Sequence, residues 1–207
     1  MSLWRSLWRA GQLAHRAVAT FGWSLLANLF LRLHPGARVG GWVCVTGRVH
    51  FRLHPQGRLV LAPRVRLHSG SLVNAVGGHR PTVIAVHKDA VLEIGEDSGL
   101  SSVTIVAHRR ITIGRRVLIG GDTVIYDSDF HPLRAADRLI GPDHGVVSEP
   151  VVIGDDAFVG TGATILKGVE IGAGAVIGAA SVVTKSVPAG EIWAGNPARG
   201  VGRVEQT

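Results

Sequence analysis

The feature that most constrains the fold is a series of aliphatic residues that recur every six positions. A small or β-branched residue stands two positions before the next aliphatic residue, as Ala157 and Ala163 do. A period of six matches neither the α-helix, with its 3.6 residues per turn, nor a simple strand, whose side chains alternate. The series comprises Ile113, Ile119 and Ile125, then Ile153, Val159, Ile165, Ile171, Ile177 and Val183.

Each six-residue repeat is expected to form one short strand and one turn, with the aliphatic side chain pointing inward. Three repeats then close one triangular coil, and stacked coils bury a continuous aliphatic column. Each strand hydrogen-bonds to the coils above and below it, which satisfies its backbone polar groups. The 28 glycines fit the many turns and exclude a helical bundle, because an interior glycine costs a helix about 1 kcal/mol. The sequence therefore predicts an all-β fold shaped as a triangular prism.

The repeats resemble those of the hexapeptide-repeat acyltransferases, and most of all the branch of maltose, galactoside, nodulation and polysaccharide O-acetyltransferases. The strongest match runs from Pro150 to Arg199, and weaker repeats upstream extend the resemblance to roughly 37–204. The resemblance implies a left-handed parallel β-helix, although parallel crossover connections are normally right-handed. It also implies acetyl-CoA as the co-substrate and a homotrimer with active sites in the clefts between the prisms.

The regular frame breaks between Ile125 and Ile153, which are 28 residues apart, a separation that is not a multiple of six. The segment 132–148 is polar and rich in turn-forming residues, so we expect a loop extruded from the coil near these positions. Loops on a rigid scaffold often carry function. An inert insertion is the alternative interpretation.

Residues 1–36 differ from the repeats and are predicted to form an N-terminal amphipathic helical segment, followed by the β-helix domain of 37–207. Polar residues recur every four positions from Arg16 to Arg32 and make one narrow stripe on an otherwise apolar helix. Its apolar run is too short for a membrane span. Two main interpretations stay open for 1–34: a helix lying on a membrane surface, or a helix packed on the prism or on a neighbouring subunit. A mitochondrial transit peptide is a further alternative.

The charges are distributed unevenly along the chain. Residues 1–88 contain 12 Lys and Arg and no Asp or Glu, whereas residues 89–207 contain 10 Lys and Arg and 15 Asp and Glu. The first half is therefore expected to meet an anionic partner: a polyanion, a phosphorylated or lipid-linked ligand, or an anionic membrane surface. Nucleic acid is disfavoured, because the arginines are scattered among the strands without an aromatic platform.

Cysteine usage bears on the compartment and on metal binding. Cys44 is the single cysteine of the chain, so an intramolecular disulfide and a cysteine-rich zinc site are both excluded. This usage favours a reducing compartment. The expected location is the cytoplasm, with peripheral contact at the inner face of the membrane as an additional hypothesis.

The candidate catalytic residues lie in the segment IYDSDFHP, at the end of the first regular block. If this segment is a strand, Asp127, Asp129 and His131 alternate onto one face. A histidine beside a carboxylate is suited to general-base catalysis, because the acid orients the imidazole and stabilises its protonated form. The segment also resembles the D-x-D-x-H-P motif of the family, which implies His131 as the base for the acceptor hydroxyl and Asp129 as its orienting partner.

The resemblance also implies a groove for acetyl-CoA along the C-terminal coils. Gly160 and Ala179 would lie on the path of the pantetheine, and Thr184, Lys185 and Arg199 near the nucleotide end. Phe158 stands where the family usually has a tryptophan beside the thioester. The complete predicted set is Phe158, Gly160, Ala179, Ser181, Thr184, Lys185 and Arg199.

These features together predict an acetyl-CoA-dependent O-acetyltransferase that acts on a sugar hydroxyl of a bacterial surface glycan or its precursor. Direct transfer is favoured over an acyl-enzyme, because no residue near the motif is an obvious covalent nucleophile. An N-acetyltransferase of an amino-sugar nucleotide and a non-catalytic scaffold remain the alternatives. No metal is expected, because His131 and His144 are 13 residues apart, unlike the closely spaced zinc ligands of the γ-type carbonic anhydrases.

Overall fold

The computed structural model describes residues 2–70, 80–141 and 144–205, with side chains from residue 17 onward. The strands form three parallel sheets that make the faces of a triangular prism, here named A, B and C. Successive strands occupy faces A, B and C in turn, and each pairs with the strand one coil later. The prediction of a left-handed parallel β-helix is confirmed.

The strands are numbered in chain order. Face A contains β1 (Ala37–Val39), β4 (Arg58–Leu61), β7 (Val91–Ile94), β10 (Arg110–Ile113), β13 (Val151–Ile153) and β16 (Glu170–Ile171). Face B contains β2 (Cys44–Thr46), β5 (Arg66–His68), β8 (Gly99–Ser101), β11 (Leu118–Ile119), β14 (Phe158–Val159), β17 (Val176–Ile177), β19 (Glu191–Gly195) and the antiparallel β20 (Ala198–Arg203). Face C contains β3 (His50–Leu53), β6 (Val83–Val86), β9 (Thr104–Ala107), β12 (Val124–Tyr126), β15 (Thr164–Ile165) and β18 (Val182–Val183).

The aliphatic residues of the six-residue frame fill the interior of the prism. All nine of them, from Ile113 to Val183, are at most 2% exposed. The small residues between them, such as Ala157 and Ala163, are equally buried. Ile113 of β10 pairs directly with Ile153 of β13, so the coil resumes in register after the long insertion.

The glycines that follow the aliphatic residues serve close packing of the coils rather than a left-handed backbone. A Cβ at Gly154 or Gly160 would lie 2.6 Å from the backbone nitrogen of Ala173 or Ala179 in the next coil. The left-handed positions fall two residues later, for example at Asp156 with φ of 61°. The requirement for glycine is therefore steric, because only a residue without Cβ lets adjacent coils approach.

Helix α1 (Ser2–Leu33) closes the N-terminal end of the prism with its polar stripe. The Ser24 hydroxyl donates to the carbonyl of Val45 and accepts from its N–H at 3.1 and 2.8 Å. Asn28 makes the same two-sided contact with Val43, at 2.8 Å to the carbonyl and 3.1 Å from the N–H. The stripe thus takes the place of a missing coil, since an open sheet edge leaves backbone groups unpaired.

The insertion between β12 and β13 is extruded from the coil, but it is not a loop throughout. A short helix, α2 (Ala135–Ile140), lies within it, and none of its residues is buried. This helix has no sequence signal, because six mostly exposed residues show no amphipathic period.

Candidate active site

The extruded loop leaves the prism at the corner where face C turns into face A. This C–A corner is formed by residues 54–57, 87–90, 108–109, 127–141, 144–150, 166–169 and 184–186. The base of the loop is closed by backbone hydrogen bonds, from Asp129 N–H to the Val147 carbonyl at 3.0 Å and from Glu149 N–H to the Asp127 carbonyl at 2.9 Å. The Arg109 guanidinium also donates to the Ser148 carbonyl at 3.2 Å. The root of the loop is therefore held at a defined place on the prism.

The expectation that Asp127, Asp129 and His131 share one face of a strand is wrong. Strand β12 ends at Tyr126, and Phe130 has a left-handed backbone with φ of 62°. Asp127 is fully buried, and its carboxylate accepts the N–H groups of His108 and Arg109 at 2.7 and 2.8 Å. It therefore fixes the preceding coil at this corner and is not available to a substrate.

His131 stands exposed on the first turn of the loop. Its N–H donates to the Asp129 carbonyl at 2.7 Å, which holds the backbone in a tight turn around Phe130. Within the described part of the chain, the imidazole makes no hydrogen bond. An exposed imidazole on a fixed turn is able to accept a proton from a bound substrate, because catalytic hydrogen bonds often form only in the complex.

The structure does not bring the carboxylate of Asp129 to the imidazole of His131. Asp129 Oδ2 lies 3.6 Å from Nζ of Lys167, and Glu149 Oε1 lies 3.6 Å from the same nitrogen. Lys167 belongs to the next coil of the C–A corner, so it ties both ends of the loop to the prism. Lys167 was not among the residues predicted for the site, although its position two residues after Ile165 in the six-residue frame places it at this corner.

An aromatic cluster supports the turn that carries His131. The rings of His87 and His108 stack with centroids 3.8 Å apart, and Phe130 meets His108 edge-on at 5.3 Å. Phe130 also packs edge-on against Tyr126 at 4.9 Å. These contacts pack the partly buried Phe130 against the corner, so they restrain the adjacent His131.

The predicted donor residues are divided between two corners of the prism. Gly160 and Ala179 lie at the corner between faces B and C, on adjacent coils, and Phe158 is exposed on face B next to them. Thr184 and Lys185 are exposed at the C–A corner, two coils beyond the root of the loop. Lys185 follows Ala180 by five residue steps, which span roughly 16 Å of face C at ~3.3 Å per residue.

The two remaining predicted donor residues differ in accessibility. Arg199 lies exposed on β20 at the C-terminal end of face B, where its guanidinium donates to the Ala198 carbonyl at 2.8 Å. Ser181 is fully buried, and its hydroxyl accepts the N–H of Gly195 at 3.1 Å. A buried side chain cannot touch a ligand in the groove, so Ser181 supports the hairpin that carries Arg199.

The third corner, between faces A and B, contains none of the predicted site residues and carries paired charges. Arg116 Nε lies 2.6 Å from Asp156 Oδ1, and Arg115 Nη2 lies 2.7 Å from Asp155 Oδ2. The Arg116 side chain holds the pKa of Asp156 below its usual range, and the Arg115 backbone and side chain do the same for Asp155. Many carboxylates of the second half are thus already engaged with cations of the chain.

Metal ligation has no support in the described parts of the chain, where no three His, Cys, Asp or Glu side chains gather as metal ligands would. His144 instead lies 4.0 Å from Asp137 within the loop.

Comparison with known families matches residues 150–185 to the bacterial transferase hexapeptide family (six repeats). Residues 150–185 are therefore similar to the hexapeptide repeats of bacterial transferases. The resemblance of this chain to the hexapeptide-repeat acyltransferases is confirmed. A comparison with curated proteins finds no significant match.

Several solved structures share the architecture of this chain. A hexapeptide-repeat acetyltransferase from Vibrio cholerae, complexed with acetyl-CoA, is 34% identical over 56% of this chain and 61% of its own, with a TM-score of 0.52. The polySia-specific acetyltransferase NeuO is 26% identical over 82% of this chain and 77% of its own, with a TM-score of 0.54. A galactoside acetyltransferase in complex with coenzyme A is 20% identical over 90% and 83%, with a TM-score of 0.53, and shows the fold alone.

Proposed function

We propose that this protein is an acetyl-CoA-dependent O-acetyltransferase that acts on a sugar hydroxyl of a bacterial surface glycan or its precursor. The observation that carries the proposal is the exposed His131 on the root of the extruded loop, at the same corner as Thr184 and Lys185. Two coils separate them, which is about 10 Å along the prism at ~4.8 Å per coil. A base and a cationic donor site therefore lie within reach of one bound substrate pair.

The proposed role of His131 is to take the proton of the acceptor hydroxyl as its oxygen attacks the thioester carbonyl. The new C–O bond forms a tetrahedral intermediate, and the C–S bond then breaks to release the thiolate of coenzyme A. The imidazolium returns its proton to that thiolate, so the step is balanced and needs no further reactant. A positioned base of this kind contributes roughly 10²–10⁴ in rate.

The proposed donor is acetyl-CoA, on the groove of Phe158, Gly160 and Ala179. The Vibrio cholerae relative that binds acetyl-CoA matches this chain at 34% identity. Gly160 is buried and lies against the backbone of Ala179, so the groove floor has no protruding side chain. The exposed ring of Phe158 offers an apolar wall beside it.

We further propose a homotrimer with one active site in each cleft between prisms. One protomer alone holds the base on the C–A corner and the pantetheine groove on the B–C corner, on opposite edges of face C. A ring of copies brings the C–A corner of one prism against the B–C corner of the next, and closure of the ring completes every site.

The cytoplasm, where acetyl-CoA is made, is the proposed location.

The acceptor is proposed to be an anionic or lipid-linked sugar. Residues 1–88 carry 12 cations without an acid, and the relative NeuO, 26% identical, is specific for polySia. A field of one sign raises the local concentration of an oppositely charged substrate.

The experiment is to incubate the protein with radiolabelled acetyl-CoA and a panel of anionic glycans, neutral glycans and amino-sugar nucleotides. The proposal predicts base-labile label on a glycan hydroxyl. Label that resists mild base, as an amide does, would identify an amino acceptor, and absence of transfer to every member of the panel would contradict a sugar acceptor.

A further inference from the structure

Helix α1 turns its apolar side away from the prism. The orientation of the helix about its axis is fixed by Ser24 and Asn28, which bind the edge of the first coil. At 100° per residue, Leu26 and Leu33 lie on the side opposite Ser24. The outward apolar side chains are between 49 and 75% exposed: Val18, Phe21, Leu25, Leu26, Leu29 and Leu33. This set is here named the outer face of α1.

The outer face continues into an open cleft between the helix and the first coil. The cleft has a volume of about 290 Å³ and is lined by Trp23, Leu26, Phe30 and Arg48, among others. Trp42 extends the same surface from the coil, since its ring stacks on Phe21 with centroids 6.4 Å apart. Exposed tryptophan beside arginine is the pairing found at the headgroup level of a bilayer.

The cations around the outer face have no carboxylate partners within the described residues. The structure describes the side chains of nine Lys and Arg in residues 17–88, and among these Arg64 is the one that it pairs with an acid. Arg32 and Arg38 donate to backbone carbonyls instead, which leaves their charge uncompensated. An apolar face framed by uncompensated cations is complementary to a surface that combines acyl chains with phosphate.

We propose that the outer face of α1 docks this protein on an anionic phospholipid surface, with the helix lying in the plane of the interface. No described helix has the length and hydropathy needed to cross a bilayer, so the contact is peripheral. A second copy of this chain would be less complementary to the outer face of α1 than an anionic lipid surface is. A twofold contact would bring two acid-free halves together, and many carboxylates of the other half already bind arginine or lysine.

The test is sedimentation of the full chain with vesicles of phosphatidylcholine alone or mixed with phosphatidylglycerol. The wild-type protein is expected to pellet with the mixed vesicles and not with phosphatidylcholine alone, and less so at high salt. The double variant Leu26→Glu/Leu29→Glu is expected to lose about tenfold in partition. The matched control Leu133→Glu/Leu139→Glu, on two exposed leucines of the extruded loop, is expected to bind as the wild type does.

Circular dichroism of the variants verifies folding, and the milder Leu26→Gln/Leu29→Gln replaces the glutamates if they unfold the helix. Equal partition of the outer-face variant and the loop control would overturn the proposal. Failure of the wild type to bind the mixed vesicles would also overturn it. If light scattering then shows a smaller assembly for the outer-face variant than for the wild type, another copy of the chain covers this face.

Discussion

Asp129 Oδ2 lies 3.6 Å from Nζ of Lys167, so the carboxylate two residues before the candidate base is bound to the next coil of the prism. The same ammonium holds Glu149 at the far end of the loop. Lys167 therefore holds the root of the loop that carries His131, and we propose that Asp129 positions His131 through this anchor rather than by touching the imidazole.

Replacing Lys167 with alanine is expected to lower kcat about 10- to 100-fold, because a base displaced by about an ångström loses its alignment with the substrate. The KM for acetyl-CoA should stay within about twofold of wild type, and Lys167→Arg should restore most of the rate. Arg116→Ala, which removes an ion-paired cation from the A–B corner, is the matched control. An unchanged kcat in Lys167→Ala would contradict the anchoring role.

Lys185→Ala and Arg199→Ala should raise the KM for acetyl-CoA more than they lower kcat. Contacts to phosphates far from the carbonyl stabilise the ground state and the transition state equally. Arg203→Ala serves as the control, since Arg203 is engaged with Glu191 at 3.1 Å. If calorimetry measured the same affinity for acetyl-CoA in the Lys185→Ala/Arg199→Ala double variant, the donor groove would lie elsewhere.

Asn28→Ala should destabilise the protein by about 1–3 kcal/mol, because it leaves the buried N–H and carbonyl of Val43 without their partner. Chemical denaturation measures the loss in the free energy of unfolding. Arg32→Ala, on the same stripe but exposed with one long contact to the Gly41 carbonyl, should change it little. Equal effects of the two substitutions would mean that the stripe does not cap the prism.

The sequence predicted the prism in detail and the active site only in outline. The six-residue frame made Ile153 and Val183 interior residues because one period governs the whole coil, and the structure buries both. The contact between Lys167 and Asp129 could not be predicted, because it depends on where a frame-breaking loop returns. The polar stripe from Thr20 to Arg32 was visible in the sequence. What it binds could not be predicted, because its partners are backbone groups, which every residue type has.

Protein stability should fall as pH drops below about 6.5, the ordinary pKa of histidine, partly because of His68. Burial, and then the nearby charge of Arg66, lower the pKa of His68, and its Nδ1 is buried without a partner in the described residues. The unfolded state therefore takes up a proton first as the pH falls, which favours unfolding until the pH reaches the lowered folded pKa. His68→Gln should flatten the dependence of Tm on pH in this window, and the exposed His54→Gln should not. A parallel pH profile for wild type and His68→Gln would contradict this assignment.

The central claim is that His131 is the general base of an acetyl transfer, and the rate of transfer from acetyl-CoA in His131→Ala tests it most directly. His144→Ala, a second exposed histidine of the same loop, is the matched control. We predict that His131→Ala lowers kcat by about 10²–10⁴ with the fold and the affinity for acetyl-CoA retained, and that His144→Ala stays near wild type. A rate for His131→Ala within about threefold of wild type would contradict the account.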